Sequence, residues 1–180
     1  MERVAAALLS HGARTALIGA AAAAVHNFVR ATEDIDLATF VDPYTTLTFV
    51  QRELVAEGFA AKLSEPDAQD ALGGVLTVSG EDFDPVQVVN FLNPWGGGTV
   101  LGRDAIDSAT PGPIGSVPVV DLAHLIALKL YAGGPKSRND VAELLERNPA
   151  ADVAAVARVC DRYALGDDLR AIRQGRGHAP

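Results

Sequence analysis

The strongest constraint on the fold of this chain is residues 17–40, LIGAAAAAVHNFVRATEDIDLATF. The stretch predicts a short apolar strand, a glycine turn, an alanine-rich helix over residues 19–29 and a second strand that carries Asp34 and Asp36. Because side chains alternate faces along a strand, residues i and i+2 point the same way. Both carboxylates therefore emerge on one face, with their backbones about 6 to 7 Å apart.

The two parallel carboxylates repel each other unless a cation lies between them. Hard oxygen ligands suit Mg²⁺ or Mn²⁺, so Asp34 and Asp36 are the predicted metal ligands. The alternative interpretation is a half-buried edge strand with two solvated acids, because alternating patterns are common. The neighbouring residues distinguish the metal site from the solvated edge strand.

Gly19 supports the metal interpretation, because it follows an apolar strand and opens the predicted helix. A glycine bend at a helix start presents backbone N–H groups and the positive helix end, which together favour phosphate. Arg30 and Thr32 precede the acids and could contact a triphosphate or support the strand. The stretch therefore predicts a phosphate cradle beside an acidic pair.

A second informative stretch is DLAHLIALKLYAGGPKSRNDVAELL, which predicts a helix over 121–131 and another over 138–146. A short strand is predicted before this stretch, over residues 105–108. Lys129 interrupts the apolar stripe of the first helix, so it either reaches water or pairs with an acid. Asp140 lies near the start of the second helix, where a carboxylate complements the helix dipole.

These two stretches resemble a known family. Gly19-Ala20, thirteen residues and then Asp34-Ile35-Asp36 are similar to the signature of minimal nucleotidyltransferases of the DNA polymerase β type. The R-x-T-x-D-I-D form resembles the AbiEii-like and MenT-like branch, which includes toxins of bacterial toxin–antitoxin systems. The downstream stretch is similar to the helical segment of that branch, with Lys129 and Asp140 at the usual places.

The resemblance implies an α+β fold: a minimal nucleotidyltransferase with a small mixed sheet flanked by helices and a C-terminal helical extension. It implies a nucleotidyltransferase core in residues 1–118 and a helical segment in residues 119–180 packed on that core. It also implies site residues. The catalytic set is Asp34, Asp36, Lys129 and Asp140, the nucleotide-binding set is Gly19, Ala20, Arg30, Thr32 and Lys129, and the metal ligands are Asp34 and Asp36.

The implied activity is metal-dependent transfer of a nucleotide from an NTP to an acceptor, with Mg²⁺ or Mn²⁺ as cofactor. The acceptor is tRNA by analogy with the toxin branch, a protein hydroxyl, or a small molecule such as an aminoglycoside. The same analogy implies a toxin with an antitoxin protein as partner. The alternative is a catalytically weakened or inactive relative that binds nucleotide or a partner protein.

The sequence departs from the family pattern at two places. Such transferases carry a third carboxylate on the strand beside Asp-x-Asp, but the predicted strand 86–92 offers only Gln87 and Asn90. Amides can ligate a metal through oxygen, yet they bring no charge and accept no proton at neutral pH. Asp82 and Asp84 precede this strand and are interpreted as part of a hairpin turn. The second departure is Ala20, which stands where a glycine or serine is expected.

Composition sets the remaining limits. A chain of 180 residues is long enough for one domain with a substantial core. No apolar run approaches membrane-spanning length, and the N-terminus lacks a signal-peptide pattern, so the expectation is a cytoplasmic protein without a membrane partner. Cys160 is the sole cysteine, which excludes an intrachain disulfide. The net charge of −8 argues against a broad nucleic-acid surface.

Overall fold

The computed structural model describes residues 1–81, 83–96, 100–113 and 115–176. Asp82, one of the two acids assigned to the hairpin turn, lies outside the described residues. The assignment of Asp84 to that turn is wrong, because the strand Phe83–Asn90 includes it. The described strands are β1 (Thr15–Leu17), β2 (Ile35–Thr39), β3 (Ala60–Ser64), β4 (Val75–Gly80), β5 (Phe83–Asn90), β6 (Thr110–Pro111) and β7 (Pro118–Val119). The described helices are α1 (Glu2–Ser10), α2 (Gly19–Val25), α3 (Thr48–Ala56), α4 (Leu101–Ser108), α5 (Leu122–Ala132), α6 (Gly134–Arg147), α7 (Val153–Arg162) and α8 (Gly166–Arg176), with a π-helical turn at Pro43–Leu47.

Within the described residues, the strands form one mixed sheet in the order β3-β4-β5-β2-β1-β7-β6. β2 lies at its centre, antiparallel to β1 and parallel to β5. Because β1 and β2 are antiparallel, the end of β1 lies beside the start of β2, and Ile18 donates its N–H to the carbonyl of Asp36 at 3.0 Å. This arrangement brings the glycine bend to the acidic strand. The predicted α+β fold with helices around a mixed sheet is confirmed.

Helix α5 lies among several other helices. Its residues 125–130 are all buried, and α5 contacts α4, α6 and α7. A helix that is apolar on every side belongs in the middle of a core. The division of the chain into a core of residues 1–118 and a helical segment of residues 119–180 stays a prediction.

Two predicted elements differ from the structure. The short strand expected over residues 105–108 is wrong, because these residues end helix α4. Leu101, Ala105 and Ile106 are buried, and their spacing places them on one face of a helix. The alanine-rich helix expected to continue to residue 29 ends at Val25. Asn27 there adopts a positive φ of 63°, and the N–H of Phe28 returns to the carbonyl of Ala23 at 2.9 Å, which closes the helix end.

Within residues 1–81, 83–96, 100–113 and 115–176, no helix combines the length and the apolar character needed to cross a lipid bilayer.

Candidate active site

The Asp36 carboxylate lies directly over the Gly19 bend. Gly19 has a φ of +66°, and a Cβ built on it would overlap the carboxylate of Asp36. Glycine is the residue that both adopts this backbone conformation without strain and leaves room for the acid. The turn and the acid therefore form one structural unit, as the sequence predicts.

Gly19→Ala is expected to cost about 1 to 2 kcal/mol of unfolding free energy from the positive φ alone. The new methyl group should also displace Asp36, so the variant is expected to lose the phosphate binding that the sequence predicts for this bend. Urea unfolding and calorimetric titration with an NTP measure the two effects.

Gly12→Ala is the matched control. Gly12 has a φ of +73° and nothing within 4 Å of its built Cβ, so it carries the same backbone strain without the clash. We expect a similar stability loss and unchanged NTP binding. Equal binding by the two variants would show that the contact between Gly19 and Asp36 is not needed.

Asp34 is held by a hydrogen bond on each carboxylate oxygen. The Thr32 hydroxyl donates to Oδ1 at 2.9 Å, and Nε2 of Gln87 donates to Oδ2 at 2.6 Å. Thr32 also donates to the backbone carbonyl of Asp34 at 3.1 Å. Thr32 thus supports the acidic strand in this structure.

Gln87 and Asn90, the two amides in place of a third acid, point to opposite sides of the sheet. Gln87 lies opposite Asp36 in the parallel pairing of β2 with β5 and shares its face. Asn90 is fully buried, donates to the carbonyls of Val41 and Gly73 at 2.9 and 2.8 Å, and accepts from the N–H of Val41 at 3.0 Å. Asn90 therefore joins backbone segments, and Gln87 is the amide beside the acids.

Lys129 and Asp140 form a buried ion pair. The Lys129 ammonium donates to Oδ2 of Asp140 at 2.6 Å, and these residues are 8% and 2% exposed. Arg30 reaches the same oxygen through Nε at 3.2 Å and Nη2 at 3.1 Å. Asp140 thus holds two cations, one from α5 and one from the segment before β2, and Lys129 pairs with an acid instead of reaching water.

The pKa of Asp36 is raised above its ordinary value of 3.8. Burial is the main cause and the charge of Asp34 is the second, while the cations Lys129, Arg30 and Lys136 oppose the shift. A carboxylate with a raised pKa destabilises the folded state when it ionises. The acidic pair therefore carries repulsion that a cation would relieve.

The pKa of Asp36 predicts a stability effect with a defined sign. The destabilisation is absent below pH 3.8, the ordinary aspartate value, grows between that pH and the higher folded-state pKa, and is constant above it. In EDTA, Asp36→Asn should therefore be more stable than the parent at neutral pH, and the difference should vanish towards pH 3.8. Urea unfolding across this range tests it. A neutral-pH parent more stable than the variant would contradict the prediction.

A cavity of about 460 Å³ opens next to these groups. Gly19, Asp36, Arg30 and Lys129 line one part of it, and the rest is largely apolar. The lining residues that the sequence did not single out are Ile18, Ala71, Leu72, Val89, Phe91, Leu125, Leu128, Tyr131, Ala132 and Ser137. Cavities of about 300 to 1,000 Å³ with a few convergent polar groups are typical of small-molecule sites.

Few of the described side chains near Asp34 and Asp36 could act as ligands of a divalent cation. In the described part of the chain, no group of three or more acidic, histidine or cysteine side chains could hold a metal. Mg²⁺ keeps several waters and is commonly bound by one or two carboxylates together with substrate phosphates. Asp36 lies in β2 and Asp34 directly precedes that strand. Gln87 lies opposite Asp36 and donates to Asp34, so the two carboxylates are neighbours and fit that requirement.

The predicted site residues converge only in part on the cavity. Gly19, Arg30, Asp36 and Lys129 line it, and Asp140 lies behind it in contact with Arg30 and Lys129. Ala20 is buried in α2, whereas Asp34 and Thr32 are not part of the cavity lining. Sequence reasoning missed the loop residues Ala71 and Leu72, which carry no chemical signature.

Comparisons with known proteins identify the fold. No protein-family model and no curated protein sequence matches this chain. The crystal structure of ANT(2'')-Ia in complex with adenylyl-2''-tobramycin matches with a TM-score of 0.54 and 17% identity over 90% of this chain and 95% of that one. The chain therefore has the fold of a nucleotidyltransferase.

Two further structures have the same fold. The solution structure of the antibiotic-resistance factor ANT(2'')-Ia matches with a TM-score of 0.51 and 14% identity, and the match covers 99% of this chain and 95% of that one. An antigenic nucleotidyltransferase-like protein from Paracoccidioides brasiliensis matches with a TM-score of 0.51 and 15% identity over 94% of this chain and 88% of its own. These matches extend over nearly the whole of each chain.

Proposed function

We propose that this chain is a metal-dependent nucleotidyltransferase that moves a nucleotide from an NTP to an acceptor. The observation that carries the proposal is the cavity in which the Asp36 carboxylate lies over the Gly19 bend and Lys129 lines the wall. This arrangement occurs in a chain with the nucleotidyltransferase fold. Such transfer depends mainly on positioning and on electrostatic stabilisation, for which these residues are suited.

In the proposed reaction, the hydroxyl oxygen of the acceptor attacks the α-phosphorus of the NTP and the hydroxyl proton passes to water. The bond between that phosphorus and the bridging oxygen breaks, and pyrophosphate leaves with the electron pair. Asp34 and Asp36 would hold Mg²⁺ or Mn²⁺, which when bound offsets negative charge on the triphosphate and the leaving group. The Thr32 hydroxyl keeps the Asp34 carboxylate in place.

The remaining residues act on the phosphates. Lys129 and Arg30 bring positive charge to the cavity, and Asp140 holds both cations in position. The backbone at Gly19 and Ala20 would lie against a phosphate, since neither residue has a polar side chain to offer. This division of roles makes Asp140 a positioning residue.

For the acceptor, tRNA is the candidate that the toxin-branch motif favours. The two parts of that motif meet in the fold, because Arg30 contacts Asp140 of the downstream segment although 110 positions separate them. In this role the protein would be a cytoplasmic toxin with an antitoxin as partner.

A small-molecule hydroxyl is the second candidate. It is favoured by the full-length match to ANT(2'')-Ia, whose crystal structure holds adenylyl-2''-tobramycin, and by the net charge of −8, which suits a cationic acceptor. The two candidates share one chemistry and differ in what enters the cavity.

Transfer of label from each of the four α-labelled NTPs tests the proposal. The purified chain is incubated with Mg²⁺ and with total tRNA, tobramycin or no added acceptor, and the products are separated by size. Labelled tRNA supports the first candidate, and labelled tobramycin the second. If calorimetry detects NTP binding but no acceptor is labelled, the chain is an inactive relative that binds nucleotide or a partner.

A further inference from the structure

Gln87 is a half-buried amide that faces the acidic pair. It lies opposite Asp36 in the pairing of β2 with β5, so the two side chains share one face of the sheet. Its Nε2 donates to Oδ2 of Asp34 at 2.6 Å. The end of the amide that carries partial positive charge is therefore directed at the acids.

The second oxygen of Asp34 has a donor of its own. The Thr32 hydroxyl binds Oδ1 at 2.9 Å, so the carboxylate is held from both sides. Each oxygen of a carboxylate has more than one lone-pair site, and one remains on each oxygen for a cation. The two donors fix the direction in which those lone pairs point.

We propose that Gln87 is a positioning residue that orients Asp34 and limits this site to a single divalent cation. The inference rests on the proposed metal-dependent transfer. Paired-metal sites hold their ions about 3.5 to 4 Å apart, and both ions need anionic oxygen ligands. A second cation between Asp34 and Gln87 would meet the amide hydrogens.

Rotating the amide does not remove this obstacle. To present Oε1 to a cation, Gln87 must give up its hydrogen bond to the Asp34 carboxylate, and hydrogen bonds to an ionised acceptor are among the stronger ones. The rotated oxygen would also bring no negative charge. A glutamate at the same position, by contrast, would place a third carboxylate on the face that Asp34 and Asp36 share.

Two variants separate the two roles of Gln87. Gln87→Glu supplies charge, so it should bind two cations close together. Gln87→Leu removes the hydrogen bond without adding charge, so it should still bind one cation, with an affinity about 10-fold lower, as is typical when a partner behind a metal ligand is lost. The parent should bind one.

Mn²⁺ electron paramagnetic resonance measures both quantities on the full chain with α,β-methylene-ATP, a non-hydrolysable NTP. The loss of free Mn²⁺ signal gives the number bound and the affinity, and exchange broadening reports two neighbouring ions. We expect one ion and no broadening in the parent and in Gln87→Leu, and two coupled ions in Gln87→Glu. Two coupled ions in the parent, or one in a folded Gln87→Glu, would overturn the inference, as would an unchanged affinity in Gln87→Leu.

The outcomes also separate this inference from the proposed function. A parent that binds no Mn²⁺, or whose Mn²⁺ is unaffected by Asp36→Asn, contradicts metal-dependent transfer itself. A parent with two coupled ions leaves that function standing and removes only the role of Gln87. Circular dichroism checks that Gln87→Glu is folded. If it is unfolded, the number of Mn²⁺ ions bound by the parent and the Mn²⁺ affinity of Gln87→Leu test the inference.

Discussion

Asp36→Asn is expected to reduce nucleotide transfer on the order of 1,000-fold. The substitution keeps the shape of the side chain over the Gly19 bend but removes its charge. Losing a single group that stabilises charge in the transition state costs about 100- to 1,000-fold in other enzymes. Asp36 is proposed to serve as a metal ligand as well, so its loss belongs at the upper end of that range.

Asp84→Asn is the matched control, because it makes the same change at an exposed acid of β5. Initial rates of label transfer at saturating NTP and Mg²⁺ should be unchanged in this variant. Nearly full activity in Asp36→Asn would remove Asp36 from the reaction. Equal losses in both variants would instead indicate a general effect of charge.

The same substitution connects activity with stability. Asp36→Asn is expected to stabilise the metal-free fold at neutral pH, because burial and Asp34 raise the pKa of the Asp36 carboxyl. Functional sites commonly contain residues that lower stability but are needed for the chemistry. If Asp36→Asn is more stable but inactive, Asp36 is such a residue. If Asp36→Asn is inactive and less stable, Asp36 has a structural role.

Local pattern in the sequence predicted the two features that meet at the glycine bend. Strand alternation predicted that Asp34 and Asp36 share a face, and the glycine before the alanine-rich helix predicted the bend. Both features depend on residues close in sequence, so the preferences of a few φ and ψ angles determine them. The structure brings this bend and Asp36 into contact.

The register between strands was not predictable from the chain alone. Whether Gln87 or Asn90 faces the acids depends on how β5 pairs with β2, and a shift by one residue would exchange their faces. The bridge from Arg30 to Asp140 likewise depends on tertiary packing. Helix α4 was missed for a different reason: its buried residues have helical spacing, but its eight residues are fewer than the roughly 11 over which such a period is judged.

Asp140→Asn is expected to lower the free energy of unfolding by about 3 to 5 kcal/mol. Asp140 is 2% exposed and accepts hydrogen bonds from both Lys129 and Arg30. In the variant, residue 140 carries no charge, so the Lys129 ammonium, which is 8% exposed, stays buried next to a neutral amide. An uncompensated buried charge costs far more than the ion pair itself contributes.

Urea unfolding of three further variants decides whether the buried charge is the cause. Asp168→Asn removes the acid of an exposed pair with Arg138 and should cost less than about 1 kcal/mol.

The double variant Lys129→Met, Asp140→Leu removes both buried charges, so it should be less destabilised than Asp140→Asn, although Arg30 then loses its partner. Lys129→Met alone should cost less than Asp140→Asn, since Arg30 still compensates the Asp140 carboxylate. If Asp140→Asn costs no more than Asp168→Asn, Asp140 does not hold the two cations that the proposed phosphate contacts require.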